Sequence, residues 1–353
     1  MTDMLAASYP GIARHLPKVQ LADLPTPVTR GAIQTTAGER TLSIKHDDAT
    51  SLLYGGNKTR KLEYILRRAV DRGASRVATF GAVGSHHALA TAMHAHELGL
   101  ACTCFLAHQK RAPSIGKTLN MHRRLGTEIV RYGGGIHKLP LFRRYLQGRK
   151  TWVVPLGGSC WLGVAGFVNA ALELVGQVES GDVPCPQRIY VANGTMGTVA
   201  GLAIGLAAAG LRTEIHAVRV ADNDYTNPLV LDRLMQKTAI LLNRLDPAFP
   251  ADAASRTRIR WRDEFFAGGY AVADDATTGA VAIARDALGL QLETTYTGKA
   301  MAALLNDVGG AGYAGESCLF WNTYNSRPLS VSGTRPRSLD NIPEEFARYY
   351  DEV

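Results

Sequence analysis

An α/β fold with open parallel sheets is what this sequence predicts, and three observations carry it. Short β-branched or apolar runs alternate with longer helical patterns, the signature of βαβ units. Glycines stand at several predicted strand exits, as Gly55-Gly56, Gly81 to Gly84, Gly157-Gly158 and Gly194 to Gly197. The 353 residues suffice for two domains or one large α/β unit, and 46% hydrophobic with 20% charged residues is a globular composition.

In chain order, strands are predicted at residues 42–45, 76–80, 101–107, 128–132, 151–155, 188–192, 214–220 and 318–322. Helices are predicted at 59–72, 86–98, 114–125, 162–176, 198–209, 229–242, 277–288 and 298–308. The first helix sets Leu62, Ile65, Leu66 and Ala69 along one face. In the strand at 101–107, Cys102 and Cys104 point to one side. The apolar stretch at 199–211 is 13 residues, shorter than the roughly 20 a bilayer requires, and reads as a buried helix. A helical pattern between 221 and 269 is broken by Asp246-Pro247 and Pro250. The tail from Ser326, rich in Arg, Ser and Pro and closing on a short helix near Phe346, is expected on the surface.

Several classes are disfavoured. Net charge is +8, but the basic pairs Arg67-Arg68, Arg123-Arg124 and Arg143-Arg144 lie apart, which argues against nucleic acid and leaves small anions as partners. Five cysteines without a C-x-x-C pair indicate neither a zinc ribbon nor a disulfide framework and point to a reducing, cytoplasmic setting. The first 16 residues lack the basic start and apolar core of a signal peptide. His86, His87, His94 and His96 lack a neighbouring acid to complete a set, so no metal is expected.

Ligands of open α/β sheets bind at the carboxyl ends of strands, so the Gly-rich exits predict one composite site. Its first piece is Tyr54-Gly55-Gly56-Asn57-Lys58-Thr59-Arg60-Lys61, which puts three cations in a helix's first turn, against the macrodipole. That pattern suits a bound anion, or a lysine whose amine loses its proton readily among other cations. It is not a P-loop, since Asn57 precedes the lysine and Leu52 replaces the first glycine. The second is Phe80 to His87, where Ser85 is a predicted N-cap or a hydroxyl aimed at a ligand. The third, Asn193-Gly194-Thr195-Met196-Gly197-Thr198, is a strand–turn–helix junction of the phosphate-binding kind. Tyr296 stands just before a helix, placed to stack on a planar cofactor or to move a proton. Gly157-Gly158-Ser159-Cys160 is one more strand exit, with Cys160 read as a buried small residue.

These motifs, with Leu24-Pro25-Thr26-Pro27, Ile44 to Asp48, Gly163, Gly166-Phe167 and Tyr296-Thr297-Gly298-Lys299-Ala300, run in an order that resembles one family. It is that of the 1-aminocyclopropane-1-carboxylate deaminases and D-cysteine desulfhydrases. The resemblance spans residues from about 20 to about 325 and leaves out the tail and the stretch near 228–254. It implies a tryptophan-synthase-β-like fold, fold type II, with a large cofactor domain at 1–60 and 171–353 and a small α/β domain at 61–170. It also implies pyridoxal 5'-phosphate, a small amino-acid substrate and a homodimer, with neither nucleic acid nor membrane as partner.

Carried over by residue, Lys58 matches the lysine that holds the cofactor, is displaced by substrate and then takes the Cα proton. Asn57, Lys61, His86 and residues Asn193 to Thr198 match the cofactor and phosphate site. Ser85 matches the serine near the substrate carboxylate, with His86, His87 and Ser159 beside it. Tyr296 matches the tyrosine against the cofactor ring, Tyr270 a second active-site tyrosine, and Thr323 a threonine at the pyridine nitrogen. A neutral hydroxyl there limits the spread of charge into the ring and favours elimination. Thr297 follows the desulfhydrase-like Tyr-Thr-Gly-Lys pattern, where the deaminases carry Glu. The expected reaction is β-elimination to a 2-oxo acid and ammonia, like that of a D-cysteine desulfhydrase. β-Replacement, racemisation and a non-catalytic cofactor-binding homologue are the alternatives. His86 in place of Asn, and Asn322-Thr323-Tyr324-Asn325 in place of a His-Thr-Gly-Gly-like string, depart from the family beside the expected cofactor.

Overall fold

The structure is a computed structural model describing residues 3–112, 114–133, 150–310, 313, 315–329 and 342–350. Arg143 and Arg144 lie outside the described residues, as does the tail between 330 and 341. Among the described residues, ten strands form two sheets. The larger comprises β1 (Val28–Thr35), β2 (Gly38–His46), β7 (Arg188–Asn193), β8 (Glu214–Arg219), β9 (Ile259–Arg262) and β10 (Cys318–Asn322), in the order β1-β2-β10-β7-β8-β9. Only the β1–β2 pair is antiparallel. The smaller comprises β3 (Arg76–Ala82), β4 (Ala101–Ala107), β5 (Glu128–Arg131) and β6 (Thr151–Val153), all parallel, in the order β5-β4-β3-β6.

Parallel strands are covered on both faces, and the side-chain alternation shows it. On β7, Ile189 and Val191 join one core, and Tyr190 and Ala192 join the other. The first core contains α3 (Asn57–Asp71), α6 (Trp161–Glu179) and α7 (Gly197–Ala208), and continues under the small sheet with α4 (His86–Glu97) and α5 (Ser114–Leu125). The second lies beneath α9 (Asp275–Leu288) and α10 (Thr297–Gly309). Helix α6 is long and apolar enough to cross a membrane, yet it packs on α7 and α3 with most of its length buried. The expected buried helix in the 199–211 stretch is α7. Cys102 and Cys104 do share a face, their sulfurs 3.8 Å apart.

Four elements were not expected from the sequence. Helices α1 (Met4–Ser8) and α2 (Pro10–His15) pack over α6 and α8 (Pro228–Leu245). The strand at 42–45 is the end of a hairpin whose first arm, β1, is mostly solvent-facing and so shows no clean apolar alternation. Strand β9 is short and buries Arg262, which pairs with Asp307. The Asp246-Pro247 break ends α8, and the Asp246 carboxylate accepts from Gly11 N and Ala248 N.

The end of the chain corrects an expectation. A short 3-10 helix at Glu344–Tyr349 does form, but Phe346 is fully buried, packed against the His108 ring rather than lying on the surface.

Candidate active site

The carboxyl ends of β3, β4, β7 and β10 converge on a cavity of about 490 Å³, of the size that takes a small cofactor with a substrate. Each wall follows from local structure. Gly56, with φ +91°, turns the chain into α3, so that Asn57 and Lys58 open the helix at the cavity. Ser85 caps α4, its Oγ accepting from Ala88 N at 3.2 Å. Met196, in the left-handed region at φ 68°, turns β7 into α7.

Helix α3 divides its cations. Lys58 and Lys61, one turn apart, face the cavity. Arg60 points the other way, so two of the three cations at the start of α3 face the cavity. Its guanidinium is buried on Asp47 (2.7 and 2.9 Å) and Glu173 (2.9 and 3.0 Å). Lys45 joins the same cluster through Glu173 at 2.5 Å, and Trp321 Nε1 donates to Asp47 at 2.8 Å.

On the cavity side, Lys58 Nζ donates to Asn57 Oδ1 at 2.7 Å, and Asn57 Nδ2 donates to Thr198 Oγ1 at 2.9 Å. Lys61 is buried, donates to Gly157 O at 3.2 Å, and has no ion-pair partner among the described residues. A Cβ on Gly197 would stand 3.1 Å from Lys61 Nζ, so the ammonium lies against the start of α7. A helix's first turn also offers unpaired N–H groups. Gly157 (φ +63°) allows the neighbouring turn to close in, since a Cβ there would meet Thr195 Oγ1 at 1.9 Å. Asn193 lines the same wall with both side-chain polar atoms buried and unpartnered. A buried free ammonium, a helix N-terminus and an orphaned amide together demand a polar anionic ligand, and a phosphate ester fits.

The charges follow from this geometry. Burial pulls the Lys58 amine down to about 8, opposed by the Glu293 carboxylate. Burial and then the Lys58 charge hold Lys61 well below its ordinary value. Burial also lowers His86 and His87. His86 Nδ1 lies 2.9 Å from the Tyr54 hydroxyl. Burial raises Tyr296 well above the phenol range, and its hydroxyl is 2.5 Å from that of Tyr270.

Of the residues singled out from the sequence, Asn57, Lys58, Lys61, Ser85, His86, His87, Asn193 to Met196, Thr198, Tyr270, Tyr296 and Thr323 line the cavity. Ser159 and Gly197 are not among its lining residues. Ser159 Oγ donates to Thr195 Oγ1 (2.7 Å) and accepts from Gly197 N (3.2 Å), so it braces the α7 turn rather than meeting a substrate. His87 donates or accepts at Thr79 (2.9 Å), and His94 at Thr59 (3.1 Å), each in its own pair. Asn322 is fully buried, does not line the cavity and accepts from Tyr324 N, whereas Thr323, Tyr324 and Asn325 of the same string do line it.

Sequence reasoning missed Glu293 and His108 as lining residues, and named Tyr54 and Tyr324 only within longer strings. Glu293 accepts from the amides of Thr295 (2.6 Å), Tyr296 and Thr297 (both 2.9 Å), and so fixes the turn that carries Tyr296. An acid just ahead of a helix start was the available signal.

Comparison with known proteins agrees with this geometry. The profile of the family described as pyridoxal-phosphate dependent enzyme matches residues 19–323. A D-cysteine desulfhydrase of Salmonella typhi is 32% identical over 316 residues, covering 83% of this chain and 89% of the relative. Its counterpart in Salmonella paratyphi A is 34% identical with the same coverage. Among solved structures, an ACC deaminase homologue superposes with a TM-score of 0.75 at 28% identity, over 92% of this chain and 96% of that one. A bacterial threonine deaminase shares the fold, with a TM-score of 0.59 at 18% identity over 93% of this chain and 99% of the other. The architecture is fold type II, as the resemblance implied.

Proposed function

This chain belongs to the pyridoxal-phosphate dependent enzyme family, and from that premise we propose that it eliminates a β-substituent from a small amino acid, as a D-cysteine desulfhydrase does. The products are a 2-oxo acid and ammonia. The observation that carries the reading is the pairing of Lys58, at the cavity wall on Asn57 Oδ1, with the unneutralised Lys61 and the α7 start on one wall.

In this reading Lys61, Asn193 and the amides of Thr195, Met196 and Thr198 hold the cofactor's phosphate. Bound cofactor supplies the electron sink for the charge left at Cα. The Ser85 hydroxyl and the first turn of α4 orient the substrate carboxylate. The Lys58 amine, free of a carboxylate within ion-pair distance among the described residues, takes the Cα proton. The Cβ–S bond then breaks, sulfur leaves with the bonding pair as sulfide, and water converts the released enamine to pyruvate and ammonia. Tyr296 and Tyr270, sharing one short hydrogen bond, keep a proton at the wall facing the substrate. Thr323 offers a neutral hydroxyl to the cofactor ring.

The test is a screen of D- and L-cysteine, D-serine and 1-aminocyclopropane-1-carboxylate with the holoenzyme. Release of pyruvate, sulfide and ammonia in equal amounts from D-cysteine supports the reading. A retained β-substituted product or inverted chirality, without 2-oxo acid, would replace it with the transfer or racemase alternative.

A further inference from the structure

The C-terminal segment reaches the cavity rim through a chain of hydrogen bonds. The Tyr349 hydroxyl donates to Gln109 O at 2.9 Å and accepts from Gln109 N at 3.2 Å. It also lies 3.2 Å from Nδ1 of His108, a residue that lines the cavity. The Phe346 ring meets the His108 ring edge-on at 5.0 Å. Gln109, clasped on its backbone, turns its side chain the other way, and Oε1 accepts from Gly84 N at 3.1 Å. Gly84 immediately precedes Ser85. That turn is also held by Val83 N on Ala107 O (2.8 Å) and Ser85 N on Ala82 O (2.9 Å). A Cβ on Gly84 would sit 3.0 Å from Gln109 Nε2, so the amide and the turn are in close contact.

We propose that residues 344–349 are a positioning element of the active site, which through Tyr349 and Gln109 sets the Gly84–Ser85 turn and so the hydroxyl that meets the substrate carboxylate. The proposal rests on the reading of Ser85 given above. Tyr349 and Gln109 touch neither substrate nor cofactor in it. They act through Ser85, and the contact joins Tyr349 to a residue 240 positions earlier in the chain. Packing alone would need the Phe346 and Tyr349 rings. The hydrogen-bond chain needs the Tyr349 oxygen, which a phenylalanine lacks at the same shape.

Four holoenzyme variants test it: Tyr349→Phe, Gln109→Ala, the double variant and Ser85→Ala, with Asp286→Asn as a surface control on the exposed Arg285–Asp286 pair. Two readouts are taken. The first is hydrogen exchange of the peptide spanning Gly84 to Ala88, and the second is KM and kcat for D-cysteine. Tyr349→Phe and Gln109→Ala should each speed exchange across Gly84–Ala88 and raise KM about three- to tenfold, the worth of the Gly84 N–Gln109 hydrogen bond that both disturb, with kcat nearly unchanged. The double variant should be no worse than Gln109→Ala alone, because both remove the same chain. Unchanged exchange at Gly84–Ala88 in Tyr349→Phe would overturn the proposal, as would effects of the two variants that simply add. If exchange responds as expected while Ser85→Ala leaves KM untouched, the strap stands and the carboxylate reading of Ser85 fails.

Discussion

On one side of α3, Arg60 lies with Lys45 among Asp47 and Glu173, two cations against two carboxylates with the Thr26 hydroxyl and Trp321 filling remaining sites. On the other, Lys58 and Lys61 are withdrawn from bulk water with no carboxylate within ion-pair distance among the described residues. Both sets of charge are shielded, yet only the first is complete. A closed set holds Asp47 against Arg60 and ties β2, β10, α3 and α6 together. An open set is left for a bound anion to complete, and binding there would recover electrostatic free energy that the fold leaves unspent.

The comparison can be broken most forcefully at Lys58. Lys58→Ala should lower turnover about a thousandfold or more while leaving the fold intact, checked by steady-state kinetics alongside circular dichroism. Arg60→Met should do the reverse. It strands Asp47 and Glu173 without their cation, so a stability loss of about 3–5 kcal/mol is expected in urea unfolding. Lys61→Met should weaken pyridoxal phosphate binding by about 10- to 100-fold in an absorbance titration, and should leave the cofactor-free protein as stable as before or more so.

The two clusters also respond to pH in different windows, each gaining stability as pH rises. Glu173, held at about 2 by Arg60 and Lys45 despite burial, contributes stability that is present above the ordinary carboxylate range and is lost as pH falls toward 2. Lys58, lowered by burial to about 8, binds its proton less readily folded than unfolded, so the cofactor-free protein gains stability as pH rises through 8 toward 10. Lys58→Met should reduce that gain in a pH series of melting curves, with Lys61 and Lys299, also lowered by burial, supplying the remainder. The smallest expected effect is at Glu293, whose charge opposes the effect of burial. Glu293→Gln should lower the Lys58 amine by about half a pH unit to one unit, read from the pH dependence of its chemical labelling.

Much of this was legible in the sequence. Glycines at strand exits marked the rim of the cavity, and the cationic start of α3 flagged the two lysines that line it. Helical geometry alone also separates Arg60 from Lys58 and Lys61, since 58 and 61 share a face and 60 does not. Its partners were not legible, because Asp47 and Glu173 lie 13 and 113 residues away along the chain. Strand β1 was missed because an exposed edge strand carries little apolar pattern. Strand β9 was missed because its buried side chain is an arginine. The tail's burial rests on Phe346 and Tyr349, one turn apart, a signal too short to outweigh the polar residues before it.

The central claim is that the open cluster on α3 is completed by pyridoxal phosphate with Lys58 at its centre. Visible absorbance of the purified protein, before and after borohydride, with peptide mapping of the reduced sample, tests it directly. The expected result is a yellow band that bleaches on reduction and a cofactor-sized adduct on Lys58. A protein that stays colourless after added pyridoxal phosphate, or an adduct on any other lysine, would contradict it.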